Sequence, residues 1–170
     1  MERLWSPWRL AYVTGASGAT DSSRGCIFCN TDEPGRDELI LIRGRLSYVV
    51  LNLYPYNNGH LMVVPNRHIP NLEATDAAER EEIMRLVRHA EIALTDAYQP
   101  QGLNIGINLG RPAGAGVVDH LHVHVVPRWN GDTNFMTVVG EVRVLPEDLG
   151  ATKKRLQPIF ERLSREDRNR

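Results

Sequence analysis

The segment Asp119-His120-Leu121-His122-Val123-His124-Val125-Val126 limits the fold more than any other stretch of the chain. Histidine alternates with an apolar residue from His120 to Val125. On a β-strand successive side chains point to opposite faces, so His120, His122 and His124 share one face while Leu121, Val123 and Val125 point into a core. With a rise of ~3.3 Å per residue, neighbouring imidazoles on that face stand about 6–7 Å apart. Such a row brings little apolar burial and repels when protonated, so it points to chemistry rather than stability. Two chemistries suit it. A His-x-His pair on a strand can bind zinc through ring nitrogens. Alternatively one imidazole is a nucleophile and its neighbours handle charge and protons. A neutral imidazole with an unperturbed pKa of about 6.5 is competent near neutral pH, and a phosphorus centre suits it because the phosphoramidate formed is labile.

The strand is expected over Leu121 to Val126, stopped by Pro127, and the sequence supplies partners for it. Tyr48 to Leu53 is β-branched and aromatic, His60 to Pro65 is apolar and closed by proline, and Leu103 to Leu109 alternates. A short apolar run, Leu39 to Arg43, precedes a turn at Gly44. Ile83, Leu86, Val87, Ala90, Leu94 and Ala97 form one helical stripe, which Thr75 or Asp76 caps and Pro100 and Gly102 end. His89 lies on that helix among charges and is expected to be solvated. After Pro146, Leu149, Leu156, Ile159, Phe160 and Leu163 predict a second helix, interrupted by Gly150 and Pro158, with a frayed tail from Ser164 to Arg170. These elements predict an α+β fold: an antiparallel sheet of about five strands, a long helix on one face and a C-terminal helix.

At 170 residues and 42% hydrophobic, the chain is expected to form a single domain over 1–170. Its core covers about 26–129, with an aromatic arm at 1–13 carrying Trp5 and Trp8 and a helical extension over about 146–166. Twenty Lys and Arg balance twenty-one Asp and Glu, which leaves no basic field for a nucleic-acid backbone. No apolar run reaches the ~18 residues of a membrane span. Trp5, Pro7, Trp8 and Arg9 interrupt any leader-like core, so a cytoplasmic location is expected. The only cysteines, Cys26 and Cys29, form Cys-Ile-Phe-Cys. In a reducing compartment that spacing reads as half a metal site or as a redox pair, and a redox pair should follow a strand and open a helix. Here Gly-rich polar sequence precedes it, which favours metal.

His-Leu-His-Val-His-Val-Val fits the pattern of the histidine triad (HIT) family, and the resemblance extends to Asn52, Pro55, Gly59-His60-Leu61, Val63-Val64-Pro65, His68 and Asn104 through Gly110. The flanks Leu4 to Arg9, Leu51 to Asn57 and Pro127 to Phe135 are similar to the bacterial diadenosine tetraphosphate phosphorylase branch. The resemblance implies a nucleotidyl transferase or hydrolase that cleaves diadenosine polyphosphates through a nucleotidyl-histidine, by phosphorolysis to ADP and ATP. The alternatives are a diadenosine polyphosphate hydrolase or nucleoside phosphoramidase using water, a metal-dependent zinc hydrolase, and a nucleotide-binding module without turnover.

By the same resemblance, His122 is the nucleophile and His124 assists the leaving group. His60 stands beside the triad, Asn52 contacts ribose, and Asn108 with the Gly114 and Gly116 loop holds phosphate. The loop departs from the commoner pattern: Gly114-Ala115-Gly116-Val117 replaces a Gln followed by Ser or Thr, so backbone donors take over. Arg128 and Asn134 are further candidates for a second anion. Cys26, Cys29, His68 and His120 match the ligands of a closed, structural zinc site, with no cofactor needed for the chemistry. The implied partners are nucleotides (diadenosine polyphosphate, AMP, ADP or ATP), inorganic phosphate and a second copy of the chain, with no nucleic acid and no membrane.

Overall fold

The computed structural model describes residues 25–29, 31, 37–132 and 147–169. The arm bearing Trp5 and Trp8 and the segment bearing Asn134 lie outside them. Five antiparallel strands, β1 (Ile40–Arg43), β2 (Ser47–Leu51), β3 (Leu61–Pro65), β4 (Gly102–Ile107) and β5 (Val123–Arg128), form one sheet in the order β1-β2-β3-β5-β4. Helices α1 (Ala77–Tyr98) and α2 (Leu149–Arg168) complete the α+β architecture. Among the described residues no helix is long and apolar enough to cross a membrane.

Strands β2 and β3 are buried along their whole length, which is why they read as unbroken apolar runs. Their alternate side chains serve two cores. Val49, Leu51, Leu61 and Val63 join Leu121, Val123 and Val125 against Ile83, Leu86, Val87, Ala90 and Leu94 of α1 and Leu156 and Phe160 of α2. Tyr48, Val50, Met62 and Val64 point the other way and pack with Phe28 and Ile40. The helices therefore cover one face and leave the opposite face to the histidines. Asp76 caps α1 through a reciprocal box with Glu79, and Gln99 closes it in the left-handed conformation just before Pro100.

Three expectations need correction. The ladder of β5 does not stop at Pro127 but runs from Val123 to Arg128. Its pairing with β3 ends at Val125 opposite Leu61, so Pro127 lies beyond that ladder and its missing N–H costs nothing. Helix α2 continues through Pro158, which sits on the solvent side where the unbonded Lys154 carbonyl can be hydrated, and its last turn is ordered to Arg168. His89 is not solvated but 2% exposed, with Nε2 standing 2.9 Å from Asp167 Oδ2 of α2. That contact is close but misaligned, so neither atom gains a well-formed hydrogen bond. Burial pushes the His89 pKa below its ordinary value, against the upward pull of Asp167.

The β1–β2 turn is clamped from α1. Glu82, 5% exposed, accepts the N–H groups of Leu46 at 2.8 Å and Ser47 at 3.0 Å through Oε1. Gly44 is required beside it, since a Cβ there would lie 2.2 Å from Oε1. Glu82→Ala leaves both donors unpaired and is expected to cost about 2–3 kcal/mol, whereas Glu82→Gln keeps an acceptor and loses less. Chemical denaturation checks this; an unchanged midpoint for the alanine variant refutes the clamp.

Candidate active site

Register places the imidazoles. Met62 pairs with His124 and Leu61 with Val125, so His124 lies on the face away from the helices, beside the start of β3 where His60 sits. His60, His120, His122 and His124 are all buried, at 1%, 0%, 4% and 9% exposure. His122 and His124 approach to 4.9 Å between ring centroids, closer than the expected 6–7 Å. The cause is that His120 and His122 precede the regular part of β5, where the chain is not held in ideal extension.

Hydrogen bonding assigns the tautomers. His122 Nδ1 lies 2.8 Å from the His120 carbonyl, which can only accept. Nδ1 therefore carries the proton and Nε2 holds the free lone pair. The Tyr56 N–H donates to His60 Nδ1 at 3.0 Å, so that nitrogen is unprotonated and His60 carries its proton on Nε2. This Nε2–H donates to His124 Nδ1 at 2.9 Å. His124 accepts there and keeps its own proton on Nε2. The result is one imidazole with an open lone pair on Nε2 beside another that offers an Nε2–H. Burial pushes the His122 pKa down, partly opposed by the His120 carbonyl. Burial, then repulsion from His122, lowers His124 to about 4. Both rings are neutral at physiological pH.

His120 faces elsewhere. Its Nε2 donates to the Pro65 carbonyl at 2.9 Å, which leaves Nδ1 as a lone pair 3.3 Å from Cys26 Sγ and 3.5 Å from Cys29 Sγ. His68 Nδ1 lies 3.3 Å from Cys29 Sγ. The four ligand atoms fall within 4.8 Å of one another. Tetrahedral zinc with Zn–S ≈ 2.3 Å and Zn–N ≈ 2.0–2.1 Å places sulfur and nitrogen about 3.5 Å apart, which these spacings fit. Desolvation, and then Cys26, raise the Cys29 pKa, so Cys29 keeps its proton unless a cation takes its place. The Cys-x-x-Cys turn is seated by the Tyr48 hydroxyl, which donates to the Phe28 carbonyl at 2.8 Å.

Other expected residues sit around this centre. Asn52 Oδ1 accepts the Tyr54 N–H at 3.0 Å, and its Nδ2 lies 3.3 Å from His60 Nδ1, so this side chain braces His60. Asn108 ends the stretch after β4, and a Cβ on Gly114 would lie 3.7 Å from its Nδ2. The loop is partly ordered by a short 3₁₀ turn, Arg111–Ala113, whose Arg111 carbonyl takes the Gly114 N–H at 2.9 Å. Gly116 is exposed and follows this turn. Arg128 is engaged rather than open: it forks onto Asp132 at 2.6 and 2.8 Å.

The structure adds two residues that sequence reasoning missed. Phe28 rests 5.5 Å from the His120 ring and 5.1 Å from His122, walling both imidazoles on that side; its place between the two cysteines was the available signal. The Tyr56 ring lies 4.6 Å from His60 and stacks on His124 at 5.7 Å, for which no periodicity gave warning.

Comparison with known proteins agrees with this geometry. A HIT domain family model matches residues 34–131. A Mycobacterium tuberculosis protein named AP-4-A phosphorylase is 42% identical over 164 residues, covering 92% of this chain and 83% of its own. A Schizosaccharomyces pombe asymmetrical bis(5'-nucleosyl)-tetraphosphatase is 33% identical over 93 residues, 55% of this chain and 50% of that protein. The crystal structure of a Zn-bound histidine triad family protein from Mycobacterium smegmatis superposes with a TM-score of 0.66 at 27% identity, covering 85% of this chain and 99% of that one.

The depressed histidines set a pH dependence. Below its unfolded pKa of about 6.5, His124 binds a proton more readily unfolded than folded, so stability falls with acid. It is complete above about pH 6.5 and is lost as pH drops toward the folded value of about 4, a contribution of roughly 3 kcal/mol. Urea midpoints measured from pH 8 to 4.5 should be flat above 7 and decline below 6.5. His124→Asn should make the decline shallower, and an equal slope in both proteins refutes the assignment.

Proposed function

From the premise that the chain belongs to the HIT domain family and is a nucleotide-processing enzyme of it, we propose that it cleaves diadenosine tetraphosphate by phosphorolysis to ATP and ADP. The observation that carries this reading is the tautomer pair: His122 with its lone pair on Nε2, and His124 with its proton on Nε2, 4.9 Å apart. His122 Nε2 attacks the α-phosphorus. The bond from that phosphorus to the bridging oxygen breaks, and ATP departs with the electron pair. The adenylyl group remains on Nε2, and the positive charge on the ring is eased by its Nδ1–H against the His120 carbonyl. A polyphosphate leaving group has a second pKa near 6, so a hydrogen bond from His124 suffices where full protonation is not needed. An oxygen of inorganic phosphate then attacks the same phosphorus. The P–N bond breaks, the ring recovers its lone pair, and ADP is released.

Phosphate competes with water only when it is bound and aligned. Asn108 and the backbone around Gly116 supply donors for it, since the Gly114 N–H is already taken and Gly114 instead gives the loop its left-handed bend at φ +93°. His60 holds the tautomer of His124, and Asn52 contacts the ribose with its remaining hydrogen-bonding capacity. Phosphate is preferred over water as acceptor on the likeness to the phosphorylase; the likeness to the tetraphosphatase keeps hydrolysis as the second reading. The whole chain acts as one unit around a core of about 26–129, in the cytoplasm. A second copy pairs at the outer edge of β4, where Ile105 is 46% exposed.

Zinc bound by Cys26, Cys29, His68 and His120 supplies a structural cross-link and takes no part in the chemistry, because four protein ligands leave no position for water. The ligand spacing and the Zn-bound relative support this.

Two experiments test these readings. Diadenosine tetraphosphate incubated with millimolar phosphate should yield ADP and ATP at a rate that saturates in phosphate, and rapid quench should trap an adenylyl group on His122. His122→Ala should lose nearly all turnover. AMP plus ATP at a rate indifferent to phosphate makes the enzyme a hydrolase. For the metal, purified protein should contain one zinc per chain. Cys26→Ser should release it and lower the melting temperature more than the activity per folded molecule; zinc retained in that variant refutes the site.

A further inference from the structure

The β2–β3 connection is a rigid turn that displays aromatic surface to solvent. Asn52 Oδ1 accepts the Tyr54 N–H, the Tyr56 N–H is held by His60, and Asn57 Nδ2 donates to the Pro127 carbonyl at 3.1 Å and to Asp132 at 2.8 Å. Pro55 stiffens the centre of the turn. On this braced frame Tyr54 is 80% exposed, Leu53 54% and Tyr56 44%. A large aromatic held in water at the tip of an ordered turn adds almost nothing to folding. It offers a flat face for a flat ligand.

The position of the turn says which ligand. Tyr56 stacks on His124 with 29° between the planes, and His124 is the imidazole that faces the departing polyphosphate. Tyr54 stands two residues before Tyr56 in the same braced turn, so this exposed ring is a candidate for whatever that polyphosphate carries at its far end. We propose that Tyr54, continued by the outer face of Tyr56, is a stacking platform for the second nucleoside of the substrate, the one that leaves with the polyphosphate. The proposal rests on the reaction assigned above. It makes Tyr54 a specificity-determining residue that distinguishes dinucleoside polyphosphates from nucleotides with a free polyphosphate end. Stacking does not depend on which base is presented, so the platform tolerates any purine at this end.

The test compares diadenosine tetraphosphate with adenosine 5'-tetraphosphate, which keeps the phosphate chain but lacks the second nucleoside. Wild-type enzyme should favour the dinucleotide in kcat/KM. Tyr54→Ala should raise KM for the dinucleotide about tenfold with kcat nearly unchanged, and leave KM for adenosine tetraphosphate as it was. Tyr54→Phe and Tyr54→Trp should retain the preference. An enzyme that cleaves both substrates equally well overturns the platform alone. One that cleaves neither overturns the assigned reaction and the platform with it. An equal loss on both substrates in Tyr54→Ala, with a change of oligomeric state on gel filtration, assigns this surface to a second copy of the chain and also overturns the proposal.

Discussion

His60 Nε2 and His124 Nδ1 meet at 2.9 Å, sealed from water on nearly every side, and only one neutral tautomer of each ring can make that bond. The proton has to sit on His60, because Tyr56 already donates to the other nitrogen of its ring. Most of the surrounding structure is organised to keep this contact. The two residues come from β5 and from the chain just before β3, so their meeting depends on the pairing of Leu61 with Val125 and of Met62 with His124. A one-residue slip would carry every imidazole to the helix face and Leu121, Val123 and Val125 to solvent. The apolar half of the alternation thus fixes the register that the polar half uses.

Sequence alone left two chemistries open for three histidines, zinc binding and nucleophilic attack. The three rings of that short segment have different surroundings, which supports the division proposed above. At His120 the chain has not yet entered the ladder, so the ring turns toward the cysteines and spends Nε2 on the Pro65 carbonyl. At His124 the ladder is established and the ring joins His60. His122 stands between, its Nδ1 fixed by the carbonyl of the very residue that faces the thiols. Phe28 touches both His120 and His122, so the Cys-x-x-Cys turn that brings the thiols also closes the wall beside His122.

What could be read in advance follows from how local each signal is. The stripe of α1 and the burial of Val123 and Val125 are set by periodicities of 3.6 and 2 and were legible, as was Asp76 as one of two candidate caps, whereas the left-handed Gln99 that closes the helix was not. His89 was misread because charged neighbours Arg85, Arg88 and Glu91 suggested an open face, whereas it stands three residues after Leu86 and four before Ala93, on the edge of the buried stripe beneath α2. The continuity of α2 past Pro158 was hidden because the cost of a proline depends on which side of the helix it occupies. Arg128 looked available as an anion contact until the turn brought Asp132 back against it. Tyr56 could not be found at all: its importance comes from a backbone N–H and a ring plane, neither of which any residue pattern encodes.

The depressed pKa values of His122 and His124 follow from their burial. Desolvation is the largest cause for both, opposed at His122 by the His120 carbonyl and reinforced at His124 by His122. In the proposed reaction a polyphosphate substrate brings negative charge to both rings. An opposite charge within about 4–6 Å raises the pKa of an imidazole by about 1–3 units, so substrate binding strengthens the hydrogen bond that His124 can donate. His122 feels the same field, but its Nε2 lone pair is spent on phosphorus before a proton can reach it, because the attacking position is the one the phosphate group fills. The same burial that keeps the nucleophile unprotonated in the free enzyme lets the arriving polyanion, and not the bulk pH, make its neighbour a better donor. In that scheme departure of the polyphosphate returns His124 to its neutral form, while His122, adenylylated on Nε2 and still protonated on Nδ1, stays positive until an acceptor takes the group.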